Sequence, residues 1–87
     1  MSPRKRSKYE IAAKILKISN TPEGVNITKI VYSANLNFKN ARQMISELLE
    51  NGLLETLNGA GKKRYRATKK GVEFVDRYYA LESVHHL

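Results

Sequence analysis

The stretch Thr28–Gly52, TKIVYSANLNFKNARQMISELLENG, decides the fold. Thr28 and Asn37 are of the type that caps helix N-termini, because a short side-chain oxygen accepts one of the amide protons that a first helical turn leaves unpaired. After Thr28 the run TKIVYSAN makes a short helix whose Ile30, Val31 and Ala34 face inward, and Asn35 can end it in the left-handed conformation. After Asn37 comes the clearest helix of the chain, over 37–51, with Phe38, Ala41, Ile45, Leu48 and Leu49 on one face and Gly52 as its stop. Only two or three residues around Leu36 join the two helices, a connection that suits a helix-turn-helix rather than a bundle hairpin.

Toward the N-terminus, Val25 to Ile27 reads as a short extended strand, and Pro22 and Gly24 in NTPEG separate it from what precedes. From Lys8 to about Ser19, Ala12, Ile15, Leu16 and Ser19 recur with Tyr9 and Ile11 at three- and four-residue spacing, which predicts a first helix capped by Ser7. Residues 1–7, with Pro3 and three basic residues, read as a disordered basic arm. Toward the C-terminus the period shortens to two. Leu53, Glu55 and Leu57 share one face, and Tyr65 and Ala67 alternate with Arg64 and Arg66, so LLETLN and KRYRAT form a hairpin around GAGK. Thr68 then caps a last helix reaching about Val84 or His85. The chain is therefore mostly α with a small β-hairpin, in the order α-β-α-α-β-β-α of a winged helix-turn-helix. Residues 8–68 form the domain and 69–87 a C-terminal helix placed for dimerisation.

At 87 residues this is one domain, of a size that buries only roughly 60% of its unfolded surface. Sixteen Lys and Arg against eight Asp and Glu give a net charge of +8. The sequence pI of 9.9 points to an anionic partner, nucleic acid before membrane lipid, with solubility alone as the plain alternative. The charge is concentrated: Leu57–Gly71 holds six Lys or Arg and no acid. In a winged helix that run is the wing and its exit into the last helix, matched to a phosphate backbone. There is no cysteine, so no disulfide or thiolate metal site is expected. Lys14 and Lys17 interrupt the first apolar run, which excludes a signal peptide or membrane span there. The expected location is cytoplasmic and nucleoid-associated.

On the 37–51 helix, Lys39, Asn40, Arg42 and Gln43 form the solvent side of the first turns, and the acids Glu47 and Glu50 are confined to the far half. Arg, Asn and Gln carry the forked groups that match base edges in the major groove. Arg42 and Gln43 are expected on bases, Lys39 on phosphate and Asn40 on either; an ordinary polar helix face is the alternative. In the wing, Lys62, Lys63, Arg64 and Arg66, with Lys69 and Lys70 beyond, are expected on phosphates or in the minor groove. Lysines that protect an edge strand would look the same. Arg4, Lys5, Arg6 and Lys8 can lie in the minor groove, with a merely disordered, solubilising tail as the alternative, while Lys29 and Ser33 can touch backbone and Tyr32 suits either the core or a phosphate.

The last helix carries two apolar stripes, Phe74, Tyr78 and Leu81, and Val72, Val75 and Tyr79, so one can pack on the domain and the other on a second copy. Val72, Val75, Tyr78, Tyr79 and Glu82 are the expected dimer interface. Gly61, Lys62 and Lys63 lack the earlier glycine and the hydroxyl of a Walker loop, so no nucleotide or other cofactor is expected. His85 and His86 are adjacent, point to different helix faces and have no acid cluster beside them, which leaves no metal site. No catalytic grouping can be assembled, and no small-molecule ligand or membrane partner is evident.

TKIVYSANLNFKNARQMISELLENGLL followed by YRATKKGVEFV resembles the small archaeal winged-helix DNA-binding proteins of the Sulfolobus ten-kilodalton type, from about Ser7 to Tyr79. Its most specific parts are Tyr32–Leu36, Leu48–Leu53 and the Thr-x-x-Gly of Thr68–Gly71. The resemblance implies a homodimer joined through the last helix, DNA binding with modest sequence preference and a role in chromatin or transcription. The chain differs in a last helix shorter than that family's long antiparallel coiled coil, and in Ala67, where a larger apolar residue is expected. The expected function is double-stranded DNA binding, as a transcriptional regulator or chromatin-associated protein. A winged-helix module for protein association is the alternative. An RNA-binding module is disfavoured because the aromatics lie chiefly in helices rather than on a stacking platform of strands.

Overall fold

In the computed structural model, which describes residues 7–59 and 61–85, the Ser7 hydroxyl accepts a hydrogen bond from the Glu10 amide at 3.0 Å and opens α1 (Lys8–Ile18). Arg4, Lys5, Arg6 and His86 lie outside the described residues. Helix α2 (Ile27–Ala34) is capped by Asn26, not Thr28: Asn26 is extended, and its Oδ1 accepts from the Lys29 amide at 2.9 Å. Both residues are cap types two positions apart, and the earlier one wins because it turns Ile27 into the helix and toward the core. The expected strand over 25–27 accordingly shrinks to one bridge from Val25 to Tyr65. Asn35 ends α2 at φ 54°, and Asn37 caps α3 (Phe38–Glu50) by accepting from the Asn40 amide at 2.7 Å.

Strands β1 (Leu54–Gly59) and β2 (Lys62–Ala67) pair antiparallel in one register, Leu54 opposite Ala67 and Gly59 opposite Lys62. Thr68 then joins two elements through one hydroxyl, which donates to the Gly52 carbonyl at 2.6 Å and accepts from the Gly71 amide at 3.1 Å, opening α4 (Lys69–His85). Its cap role is as the sequence predicts.

The core lies where α1, α2, α3 and the root of the hairpin meet: Ile15 and Leu16, Ile30 and Val31, Ala41, Ile45 and Leu48, and Leu54 with Ala67. Ile15, Leu16 and Ile30 are fully buried, each contributing about 1.5–3 kcal/mol. Two residues of the expected stripes stay out. Tyr9 is 66% exposed and Phe38 43% exposed. Phe38 shares the inward direction of α3 but stands a turn ahead of Ala41, the first α3 residue to reach the core.

Val72, Phe74 and Val75 pack against this core, so the first half of α4 is held on the domain. Tyr79 adds a clasp, its ring 5.3 Å from the Lys17 ammonium at the end of α1. Beyond it Leu81 and Val84 are exposed. No helix among the described residues is long and apolar enough to cross a membrane.

Candidate nucleic-acid interface

The loop between α1 and α2 holds the wing at its root. Val25 and Tyr65 exchange backbone hydrogen bonds at 2.8 and 2.7 Å, and the Ala67 amide donates to the carbonyl of buried Ser19 at 3.3 Å. Gly24 lets the loop approach this closely. At φ +69° a Cβ there would sit 2.6 Å from the Tyr65 carbonyl oxygen, so only glycine fits both the conformation and the space.

Two arginines of the wing close on the same loop. Arg66 donates from Nε to Glu55 Oε2 at 3.0 Å and from Nη1 to the Pro22 carbonyl at 2.9 Å. Arg64 Nη1 stands 3.4 Å from the Gly24 carbonyl, a weak contact on an otherwise exposed side chain. Arg66 therefore braces the wing, whereas Lys62 and Lys63 are exposed and make no hydrogen bond or ion pair among the described residues.

On α3, Lys39, Asn40, Arg42 and Gln43 are all exposed, as expected of a solvent face. Arg42 and Ser46 of α3 line one small hollow with Tyr65 of β2 and Ile27 of α2, which places the polar face of α3 beside the root of the wing. The helix N-terminus carries no acid in its first turn, so its partial positive charge adds to Lys39 and Arg42. Glu47, farther along, is tied to Lys8 of α1 at 2.9 Å. By that hydrogen bond and then by its charge, Glu47 holds the Lys8 ammonium above its ordinary value. On α2, Lys29 and Tyr32 are exposed and Ser33 is half-buried; Tyr32, at 79% exposure, stands outside the core. Lys69 is exposed, and Lys70 donates to the Asn51 carbonyl at 3.0 Å.

The residues expected at a dimer interface divide between two faces. Val72 and Val75 are turned into their own domain, and Glu82 accepts from the Tyr78 hydroxyl at 3.1 Å. The open face is a groove of about 660 Å³ between the start of α1 and α4, walled by Tyr9, Leu53, Phe74, Tyr78 and Leu81. Tyr9 escaped the sequence reading as part of this wall because its spacing fits the α1 core stripe equally well. Among the described residues no group of three His, Cys, Asp or Glu could hold a metal ion.

A family model described as winged helix-turn-helix matches residues 5–86. The chain is 31% identical over 77 residues to MJ0287, an uncharacterized protein of Methanocaldococcus jannaschii, a match covering 88% of this chain and 74% of that protein. Among solved structures it is similar to Sso10a-2, a DNA-binding protein from Sulfolobus solfataricus, with a TM-score of 0.80 and 24% identity over 93% of this chain and 83% of that one. It is also similar to a transcriptional regulator of the MarR family from Rhodococcus sp. RHA1, with a TM-score of 0.76 and 24% identity over 86% of this chain and 56% of that one. At these identities the structural likeness is one of fold.

Proposed function

The chain belongs to the winged helix-turn-helix family, and from that footing we propose that it binds double-stranded DNA as a homodimer, in transcriptional regulation or chromosome organisation in the cytoplasm. The observation that carries the reading is the adjacency of two cationic elements. The acid-free start of α3 and the wing, whose Lys62 and Lys63 side chains are unpaired among the described residues, meet at the hollow between Arg42 and Tyr65. Solved relatives described as a DNA-binding protein and a transcriptional regulator support it.

In this arrangement α3 enters the major groove, where Arg42 and Gln43 face base edges, Lys39 a phosphate and Asn40 either. Lys62, Lys63 and Arg64 follow the flanking backbone or minor groove, while Lys29, Ser33 and Lys69 hold phosphates at the margin. Arg4, Lys5 and Arg6 extend the contact into a minor groove. Arg66 acts through the pitch of the wing.

Fluorescence anisotropy of the protein with a mixed-sequence duplex of about 30 base pairs, repeated across salt concentrations, tests this. If Lys39, Lys62, Lys63 and Arg64 each neutralise a phosphate, log affinity falls against log salt with a slope of roughly −3.6 per protomer or steeper. Absence of binding at low salt overturns the reading and leaves the basic wing to a protein partner.

The second copy covers the α4 groove, since Leu81 and Val84 are 71% and 65% exposed on a helix whose first half is already packed. Leu81→Arg is expected to shift the protein from dimer to monomer in sedimentation equilibrium with its far-ultraviolet spectrum unchanged, because Leu81 is not part of the core. A wild-type protein that sediments as a monomer at tens of micromolar contradicts the dimer.

A further inference from the structure

Phe38 is the residue of α3 that the fold leaves unexplained. It is a large apolar side chain at the first helical position, 43% exposed and absent from the residues that pack against the core. It also sits at the end of α3 that a recognition helix presents to base edges. One turn on, Arg42 lays its guanidinium carbon 5.9 Å from the Phe38 ring centroid. The Arg42 side chain makes no hydrogen bond or ion pair among the described residues, so the ring is the one partner of its guanidinium there.

Resting on the DNA-binding reading above, we infer that Phe38 and Arg42 act as one reading unit for a thymine beside a guanine in the major groove. The chemistry of each half is specific. A guanidinium fork matches the O6 and N7 acceptors of guanine, and an apolar ring is matched by the C5-methyl group that only thymine carries. The cation–π contact at 5.9 Å joins them. Attraction to the ring biases the Arg42 rotamers toward this position before DNA arrives, so less conformational freedom is lost on binding. Residues four apart in a helix are about 6 Å apart along its axis. That is close to two base-pair steps of about 3.4 Å, so with the Arg42 fork 5.9 Å from the ring the two contacts fall within two pairs of each other.

The test uses three duplexes: one with alternating thymine and guanine on one strand and alternating cytosine and adenine on the other, its counterpart with every thymine replaced by uracil, and its counterpart with every guanine replaced by 7-deazaguanine. Uracil removes only the methyl group and 7-deazaguanine only the N7 acceptor. The wild-type protein is expected to bind the thymine duplex about fourfold more tightly than the uracil duplex for each recognition helix engaged. It should prefer guanine over 7-deazaguanine by about tenfold. Phe38→Ala loses the thymine preference and keeps its salt slope. Phe38→Leu retains an apolar contact without a ring, so it keeps the thymine preference and loses part of the guanine preference. Equal affinity for the thymine and uracil duplexes, with steep salt dependence intact, overturns the inference and leaves DNA binding standing. Binding to none of the three at low salt overturns DNA binding itself.

Discussion

Replacing Lys62, Lys63 and Arg64 together by Gln is expected to lower affinity for a mixed-sequence duplex on the order of a hundredfold per protomer at about 0.1 M salt, and to flatten the slope of log affinity against log salt by roughly 2.7 per protomer. These side chains are exposed, and among the described residues only Arg64 has a side-chain contact, the weak one to Gly24. Their charge is therefore available to displace counterions, and its loss removes about 0.9 from the slope for each phosphate left unneutralised. Arg66 provides the contrast within the same strand. Its guanidinium is already held by Glu55 and the Pro22 carbonyl, so Arg66→Gln should weaken binding with the slope preserved, and Glu55→Gln should behave alike. A phosphate-binding Arg66 would instead be released by Glu55→Gln, and affinity would rise. An unchanged affinity in the triple variant, with the dimer intact, assigns the basic wing to something other than DNA.

Gly71→Ala is expected to destabilise the domain by about 3 kcal/mol, which lowers the melting temperature of a domain this size by roughly 12–24 °C. Gly71 is buried where the first turn of α4 lies on the turn between α3 and β1. A Cβ there would run into the Leu53 carbonyl oxygen and meet Leu16 Cδ2 at 3.2 Å. The carbonyl cannot retreat freely, because it also accepts from the Thr68 amide at 3.0 Å, and the Thr68 hydroxyl ties Gly52 to Gly71. Gly59→Ala is the internal control. Nothing lies within 4 Å of a Cβ at Gly59, so a thermal melt of that variant should move by less than about 0.5 kcal/mol. A Gly71→Ala protein that melts with wild type would mean that α4 docks without the close approach described here.

What could be read from the sequence follows the range of the interactions concerned. The caps at Ser7, Asn37 and Thr68 and the left-handed Asn35 are legible because a cap links a side chain to a backbone group within about three residues. Asn26 and Thr28 satisfy that local rule equally, and only the packing of Ile27 separates them. Periodicity shows the direction of a side chain but not whether another element stands opposite. Phe38 and Tyr9 lie on the correct stripes of their helices and nevertheless reach solvent. The two stripes of α4 were visible as stripes, yet which residues face the domain depends on where α1 lies, and Val72 and Val75 from one and Phe74 from the other prove to be inside. In the wing, Arg66 and Lys62 look alike as charges. The partner that distinguishes Arg66, the Pro22 carbonyl, is 44 residues away in the chain, and no local pattern encodes it. Gly24 reads from sequence as a helix breaker, and its closeness to the Tyr65 backbone is a fact of assembly.

The clamped root gives the wing the mechanics of a cantilever. From Tyr65 to Ala67 the second strand is fastened on both edges, by β1 on one side and by the Ser19–Val25 loop on the other. Farther out, Asn58 and Gly59 of β1 and Lys62 and Lys63 of β2 are paired only with each other among the described residues. A beam held this way can be lengthened at its free end without loading its support. Each added residue pair would extend the reach by about 3.3 Å, with the core, the pitch of the wing and the position of α3 unchanged. Reach of the wing and stability of the domain are thus separately adjustable quantities in this molecule.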